Sequence, residues 1–168
     1  MHQSMKRCLA VALLALVTFA SAAWAEGDVS VQLTAHRVQT NANGKETLVP
    51  GDQAHPGDVL EYRATYTNSS GARVRQLAAT LPVPQGMEYL AGSASPAPVL
   101  ASLDGKTFEA VPLKRKVRLA DGRTAVREVP ASEYRWLRWS IPALEAKSDR
   151  VVKARVRVAP IAVAALTR

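Results

Sequence analysis

The chain has 168 residues, of which 48% are hydrophobic, 21% charged and 5% aromatic, the balance of one ordinary globular domain rather than a repeat array or a large enzyme. Its 22 Lys+Arg against 14 Asp+Glu leave a net charge of +8, and its single cysteine, Cys8, lies near the amino terminus. A disulfide scaffold and a thiolate metal centre are thereby excluded.

Lys6 and Arg7 precede an apolar run from Cys8 to Ala20, and Ala23-Trp24-Ala25 puts small residues on both sides of one position. This is the pattern of a secretory signal cleaved after Ala25, with Ala23 and Ala25 as the cleavage determinants. The run of about 13 residues falls short of the roughly 20 that a membrane-spanning helix needs, and no second apolar stretch follows. The expectation is a periplasmic or secreted chain with no membrane span. It divides into a signal peptide (residues 1–25), a β domain (26–160) and a short tail (161–168). The chain from Glu26 onward holds 20 basic and 14 acidic side chains and no cysteine.

From Val29, apolar Val29, Val31 and Leu33 alternate with Ser30 and Gln32, the two-residue period of a half-buried strand. Residues 41–44 read as a turn. Pro56-Gly57-Asp58 opens a second run, in which Leu60, Tyr62, Ala64 and Tyr66 share one face and Glu61, Arg63, Thr65 and Thr67 the other. Further strands are predicted at residues 74–81, 87–90, 134–141 and 151–158. In the last of these, Val152, Ala154, Val156 and Val158 oppose Lys153, Arg155 and Arg157. Asp104-Gly105 and Asp121-Gly122 each mark a hairpin, since glycine relieves the positive φ of a tight turn. No stretch of ten residues repeats its apolar positions at helical spacing, and ten prolines punctuate the chain. Short strands at this spacing give an all-β, antiparallel sandwich in a single domain.

Several segments carry a resemblance: Pro56-Gly57-Asp58-Val59-Leu60-Glu61-Tyr62, Thr67-Asn68-Ser69-Ser70-Gly71, residues 79–89, Ala91-Gly92-Ser93, and Leu137-Arg138-Trp139-Ser140-Ile141 with Leu144. In this order the chain resembles the DUF11 conserved repeat domain of bacterial secreted and surface proteins, over roughly residues 50 to 158. The resemblance implies an immunoglobulin-like β-sandwich without enzymatic activity. The chain departs from the family's usual arrangement in having one copy and no wall anchor.

Chemistry-bearing patterns are few. His36 and His55 are the histidines beyond the signal, 19 residues apart, with no cysteine to complete a zinc site. No Gly-x-Ser-x-Gly elbow surrounds a serine, carboxylates do not alternate as in a calcium loop, and phosphate-binding glycine motifs are absent. The expectation is no catalytic residue, no metal and no cofactor. Asp52 and Asp58 read as turn caps, and Asn68 as a turn residue. Trp136 and Trp139, three apart, are expected on opposite faces of a strand, one in the core, with Tyr134 on the face of Trp136.

The charge is uneven: Lys114 to Arg157 hold 13 basic and 5 acidic residues. Lys153, Arg155 and Arg157 stand about 13 Å from end to end on one strand face, and Lys114, Lys116 and Arg118 form a second such row. These rows suit anionic envelope polymers such as lipopolysaccharide, wall polymer or extracellular DNA through sequence-blind contacts, or serve to keep strand edges apart. The leading expectation is a structural or protein-interaction module whose partner is another envelope or surface protein. Polymer binding through the basic rows is the alternative.

Overall fold

A computed structural model describes residues 29–160. The expected signal, with Ala23 and Ala25, and the tail at 161–168 lie outside the described residues. Eleven strands follow in chain order: β1 (Val29–Thr40), β2 (Glu46–Pro50), β3 (Val59–Asn68), β4 (Val74–Pro82), β5 (Met87–Tyr89), β6 (Leu100–Ser102), β7 (Glu109–Ala110), β8 (Lys114–Arg118), β9 (Thr124–Glu128), β10 (Trp136–Leu144) and β11 (Ser148–Val158). One 3-10 turn, Ala131–Glu133, precedes β10. All pairings are antiparallel, as the sequence pattern requires. A five-stranded sheet runs β2-β1-β3-β11-β5, a four-stranded sheet runs β4-β10-β6-β7, and β8-β9 form a separate ribbon.

The core lies where the period-two faces of the two sheets meet. Leu60, Ala64 and Tyr66 of β3 and Val152, Ala154 and Val156 of β11 are buried against Ala79 and Leu81 of β4 and Leu137, Trp139 and Ile141 of β10. Trp139 is completely enclosed, and its indole N–H donates to the Pro96 carbonyl at 2.7 Å, which meets the hydrogen-bond demand of a buried tryptophan.

The turns follow their residues. Pro56 and Gly57 (φ 92°) set a turn in which the Asp58 N–H donates to the His55 carbonyl at 3.0 Å, while the Asp58 carboxylate accepts the His55 N–H at 2.9 Å. At 119–123 the Leu119 and Arg123 backbones close a three-residue loop with Gly122 at φ 83°, so the Asp121-Gly122 hairpin is tight. The Asp104-Gly105 connection is wider, joining β6 and β7 through residues 103–108. The Asp104 carboxylate accepts the Thr107 and Lys106 N–H groups and the Ser102 hydroxyl, which pull its pKa down to about 2. This acid is occupied by its own loop.

Two sequence expectations change. Tyr134 and Trp136 do not share a face, because the alternation of β10 begins only at Trp136, after the 3-10 turn. Tyr134 instead enters the core and stacks on Tyr89 at 6.0 Å, while Trp136 lies over Gly105, where a Cβ would stand 2.8 Å from the indole nitrogen. The second change concerns β1. Val31 and Leu33, expected to be half-buried, are 56% and 49% exposed, because the facing sheet ends at β4 and leaves this stretch of β1 uncovered.

The chain passes between the two sheets at β3–β4, β4–β5, β5–β6 and β10–β11, and the fully buried Asn68 ties the first of these passages to the last. Its side-chain amide donates to the carbonyls of Ala72 (2.7 Å), Glu145 (2.9 Å) and Leu144 (3.2 Å), and its oxygen accepts the Ser70 N–H (3.0 Å) and hydroxyl (2.8 Å). Removing one member of such a network strands the remaining buried polar groups. Asn68→Ala is therefore expected to lower stability by about 2–4 kcal/mol in urea unfolding, without changing the strand content seen by circular dichroism.

Candidate interaction surface

The two basic rows of the sequence lie on separate sheets. Lys153, Arg155 and Arg157 sit on β11, inside the five-stranded sheet, whereas Lys114, Lys116 and Arg118 sit on the β8-β9 ribbon. Their electrostatic situations differ. On the outer face of the large sheet, register sets Arg155 across from Glu61 and Lys153 across from Arg63. The Glu61 carboxylate, with 4% of its side chain exposed, is met by Arg63 at 2.7 Å, Arg155 at 3.3 Å and Lys153 at 3.9 Å. Arg155 also grips Glu46 of β2 through two bonds of 2.7 and 3.0 Å, so it spans three strands' width of the sheet. Burial pushes the Glu61 carboxyl up, but Arg63, Lys153 and Arg155 together outweigh it and hold the group below its ordinary range. Two of the three β11 cations are thus engaged in holding a buried acid charged.

The ribbon row has a looser setting. Lys114, Lys116 and Arg118 are exposed, and among the described residues none forms an ion pair, although Glu128 stands across from Lys114 in register. Arg115, between them, turns the other way and makes a two-bond pair with Glu133 at 2.7 and 3.2 Å.

The candidate histidines do not converge on a metal. His55 Nδ1 lies 3.7 Å from Asp58 at the turn, His36 stands on β1 across from Glu61, and no group of three His, Cys, Asp or Glu among the described residues is placed to hold an ion. A hollow of about 320 Å³ beside the upper half of β10 is lined by Pro96, Pro98, Trp139, Ile141, Arg138 and Arg150, with no carboxylate, imidazole or thiol. Arg138 there stacks 3.5 Å above the Phe108 ring and bonds the Thr80 hydroxyl. No helix among the described residues is long and apolar enough to cross a membrane.

The sheet edges give the clearest functional geometry, and the sequence signal for it was the uncharged alternation of residues 29–34. Unpaired strand edges invite foreign strands, and proteins block them with charge, proline, short length or cover. The β4 edge is blocked. The Thr80 N–H donates to the Tyr66 hydroxyl at 2.9 Å, and that hydroxyl donates back to the Thr80 carbonyl at 3.2 Å. Pro82 has no N–H, and Gln76, at φ 56°, breaks the extended backbone. The β2 edge is five residues long and ends in Pro50; β5 and β7 are three and two residues. The part of β11 beyond β5 carries Asp149 and Arg150, and the part of β10 beyond β6 carries Pro142.

β1 differs from all of these. It pairs with β3 from Val29 to Arg37 but with β2 only from His36 to Thr40, so residues 29–34 have a free side. At Ala35 that side is closed: Gly51 donates its N–H to the Ala35 carbonyl at 3.2 Å, an approach so tight that a Cβ at Gly51 would meet that oxygen at 2.9 Å. The outward turn of the Ala35 carbonyl fixes the phase of the strand. The backbone polar groups of Val29, Val31 and Leu33 point to the free side, and those of Ser30, Gln32 and Thr34 enter the β3 ladder. This edge has no charge, no proline and no cover among the described residues.

The chain matches no protein-family model, no curated protein and no solved structure.

The ion network gives a test that separates the two basic rows. Arg155→Ala is expected to cost roughly 1–2 kcal/mol in chemical denaturation, since Glu61 keeps two cations and the lost partner is partly solvated. Because the Glu61 carboxyl is lowered in the folded state, its contribution is present above the ordinary glutamate value of 4.5 and is lost as pH falls below it. The gap between wild type and Arg155→Ala should accordingly narrow on acidification. Replacing Lys114, Lys116 and Arg118 together by alanine is expected to stay within about 0.5 kcal/mol of wild type.

Proposed function

We propose that this chain is an exported, non-enzymatic β-sandwich module of the bacterial cell envelope, related to the DUF11 repeats, that works by contact with another protein. The observation that carries this reading is the open side of β1. Six uncharged residues with exposed Val31 and Leu33 sit beside a β4 edge that Tyr66, Pro82 and Gln76 close. An edge of this kind accepts an extended segment by adding a strand, with backbone hydrogen bonds for affinity and the exposed side chains for selectivity. Export is supported by the amino-terminal signal pattern, and kinship by the quoted motifs, whose Gly57 and Asn68 occupy a left-handed turn and a buried latch.

A second reading, binding of anionic envelope polymer, is favoured by one observation only. Lys114, Lys116 and Arg118 stand exposed and free of ion pairs among the described residues. Lys153 and Arg155 support it less, being committed to Glu61 and Glu46.

A photo-crosslinking residue placed at Val31 in the native cell is expected to yield discrete protein adducts, and the same residue at Lys116 few or none. Polymer adducts at Lys116 with a silent Val31 would replace the first reading by the second.

A further inference from the structure

The partner that the β1 edge fits best is a second copy of the same chain. We propose that two molecules pair antiparallel through residues 30–34, making one continuous sheet across a two-fold axis at Gln32; this rests on the reading of β1 as an interaction edge. Two observations select this occupant.

The first is hydrogen-bond phase. Val31 and Leu33 direct their free N–H and C=O groups outward, so an antiparallel register that sets Val31 against Leu33 of the copy forms two complete hydrogen-bonded pairs, four bonds in all. The same register sets Ser30 against Thr34 and Gln32 against Gln32. Sliding it toward the Ala35 end would demand a carbonyl that Gly51 already uses.

The second is side-chain matching. With a side-chain period of two, this register keeps Val31 and Leu33 of both molecules on one face. They adjoin one another on the inner side that the smaller sheet leaves bare, and this shelters the two residues exposed at 56% and 49%. Polar Ser30, Gln32 and Thr34 of both copies share the outer face. The chain carries +8 overall, yet residues 29–34 carry no charge, so the two copies meet where neither repels the other.

An interface of this size is small, so association in the micromolar range is expected. Sedimentation of the purified protein across concentration measures it. Leu33→Pro removes only an outward N–H, which leaves the β3 ladder intact, and it is expected to weaken association at least about tenfold. Val31→Lys, which sets like charge into the seam, should do the same, with both variants keeping the wild-type unfolding midpoint to within a few degrees. Gln32→Cys tests the register. Facing cysteines in a non-hydrogen-bonded pair have Cα atoms about 4.5 Å apart, within disulfide reach, so this variant should oxidise to a covalent dimer. Ser30→Cys, set against Thr34, should not. A wild-type chain that stays monomeric to several hundred micromolar, or a dimer that Leu33→Pro leaves intact, overturns the proposal. If self-association is absent while Val31 still captures a different protein in the cell, the second-copy inference falls and the interaction reading survives. If both are absent, both fall.

Discussion

The arrangement of the molecule depends on one buried amide. Asn68 stands where β3 leaves the large sheet and bonds the carbonyls at which β10 gives way to β11, so two of the four passages between the sheets are fixed at the same corner. With those passages set, β4 comes to lie against β3, and Tyr66 can reach around to Thr80. Because β4 is the last strand of its sheet, no strand among the described residues covers Val31 and Leu33 on the inner side, although Val29 still reaches the core. The exposed Val31 and Leu33 are therefore a consequence of where the sheets cross rather than a local accident of sequence.

Polar groups in this fold divide by whether they hold the frame or remain free. Glu61 shows the first kind: a carboxylate almost without solvent contact, kept charged by Arg63, Lys153 and Arg155 across neighbouring strands. Taking a charge out of water costs several kcal/mol, and three cations around one acid offset that cost while pinning the register of β3 against β11. Arg155 extends the constraint to Glu46 on the edge strand β2. The basic character of the β11 face is in this way largely spent inside the molecule. The ribbon β8-β9 keeps its charge exposed, which is also what protects a two-stranded hairpin from pairing with others.

Much of the fold was legible in the sequence because period-two alternation, Pro-Gly and Asp-Gly turns and the absence of helical spacing all pointed the same way. β3 and β11 were the clearest, and their inward faces are the buried ones. Three things were not legible. Val31 and Leu33 alternate as a buried face should, yet burial depends on a facing strand that lies more than forty residues away in the chain. Tyr134 could not be phased from Trp136, since a 3-10 turn resets the alternation before β10. Lys153 and Arg155 read as a free row because Glu61, some ninety residues distant, becomes their neighbour only through strand pairing. Local pattern reports which side a residue prefers, and long-range pairing decides what stands there.

The open edge of β1 is the claim on which the functional account turns, and amide hydrogen exchange read residue by residue addresses it most directly. At low micromolar concentration the N–H groups of Ser30, Gln32 and Thr34 should exchange slowly, held by β3, while those of Val31 and Leu33 exchange rapidly and slow down as concentration rises. Slow exchange at Val31 and Leu33 that is equal to their neighbours and independent of concentration would mean that the chain covers this edge itself, and the account would be contradicted.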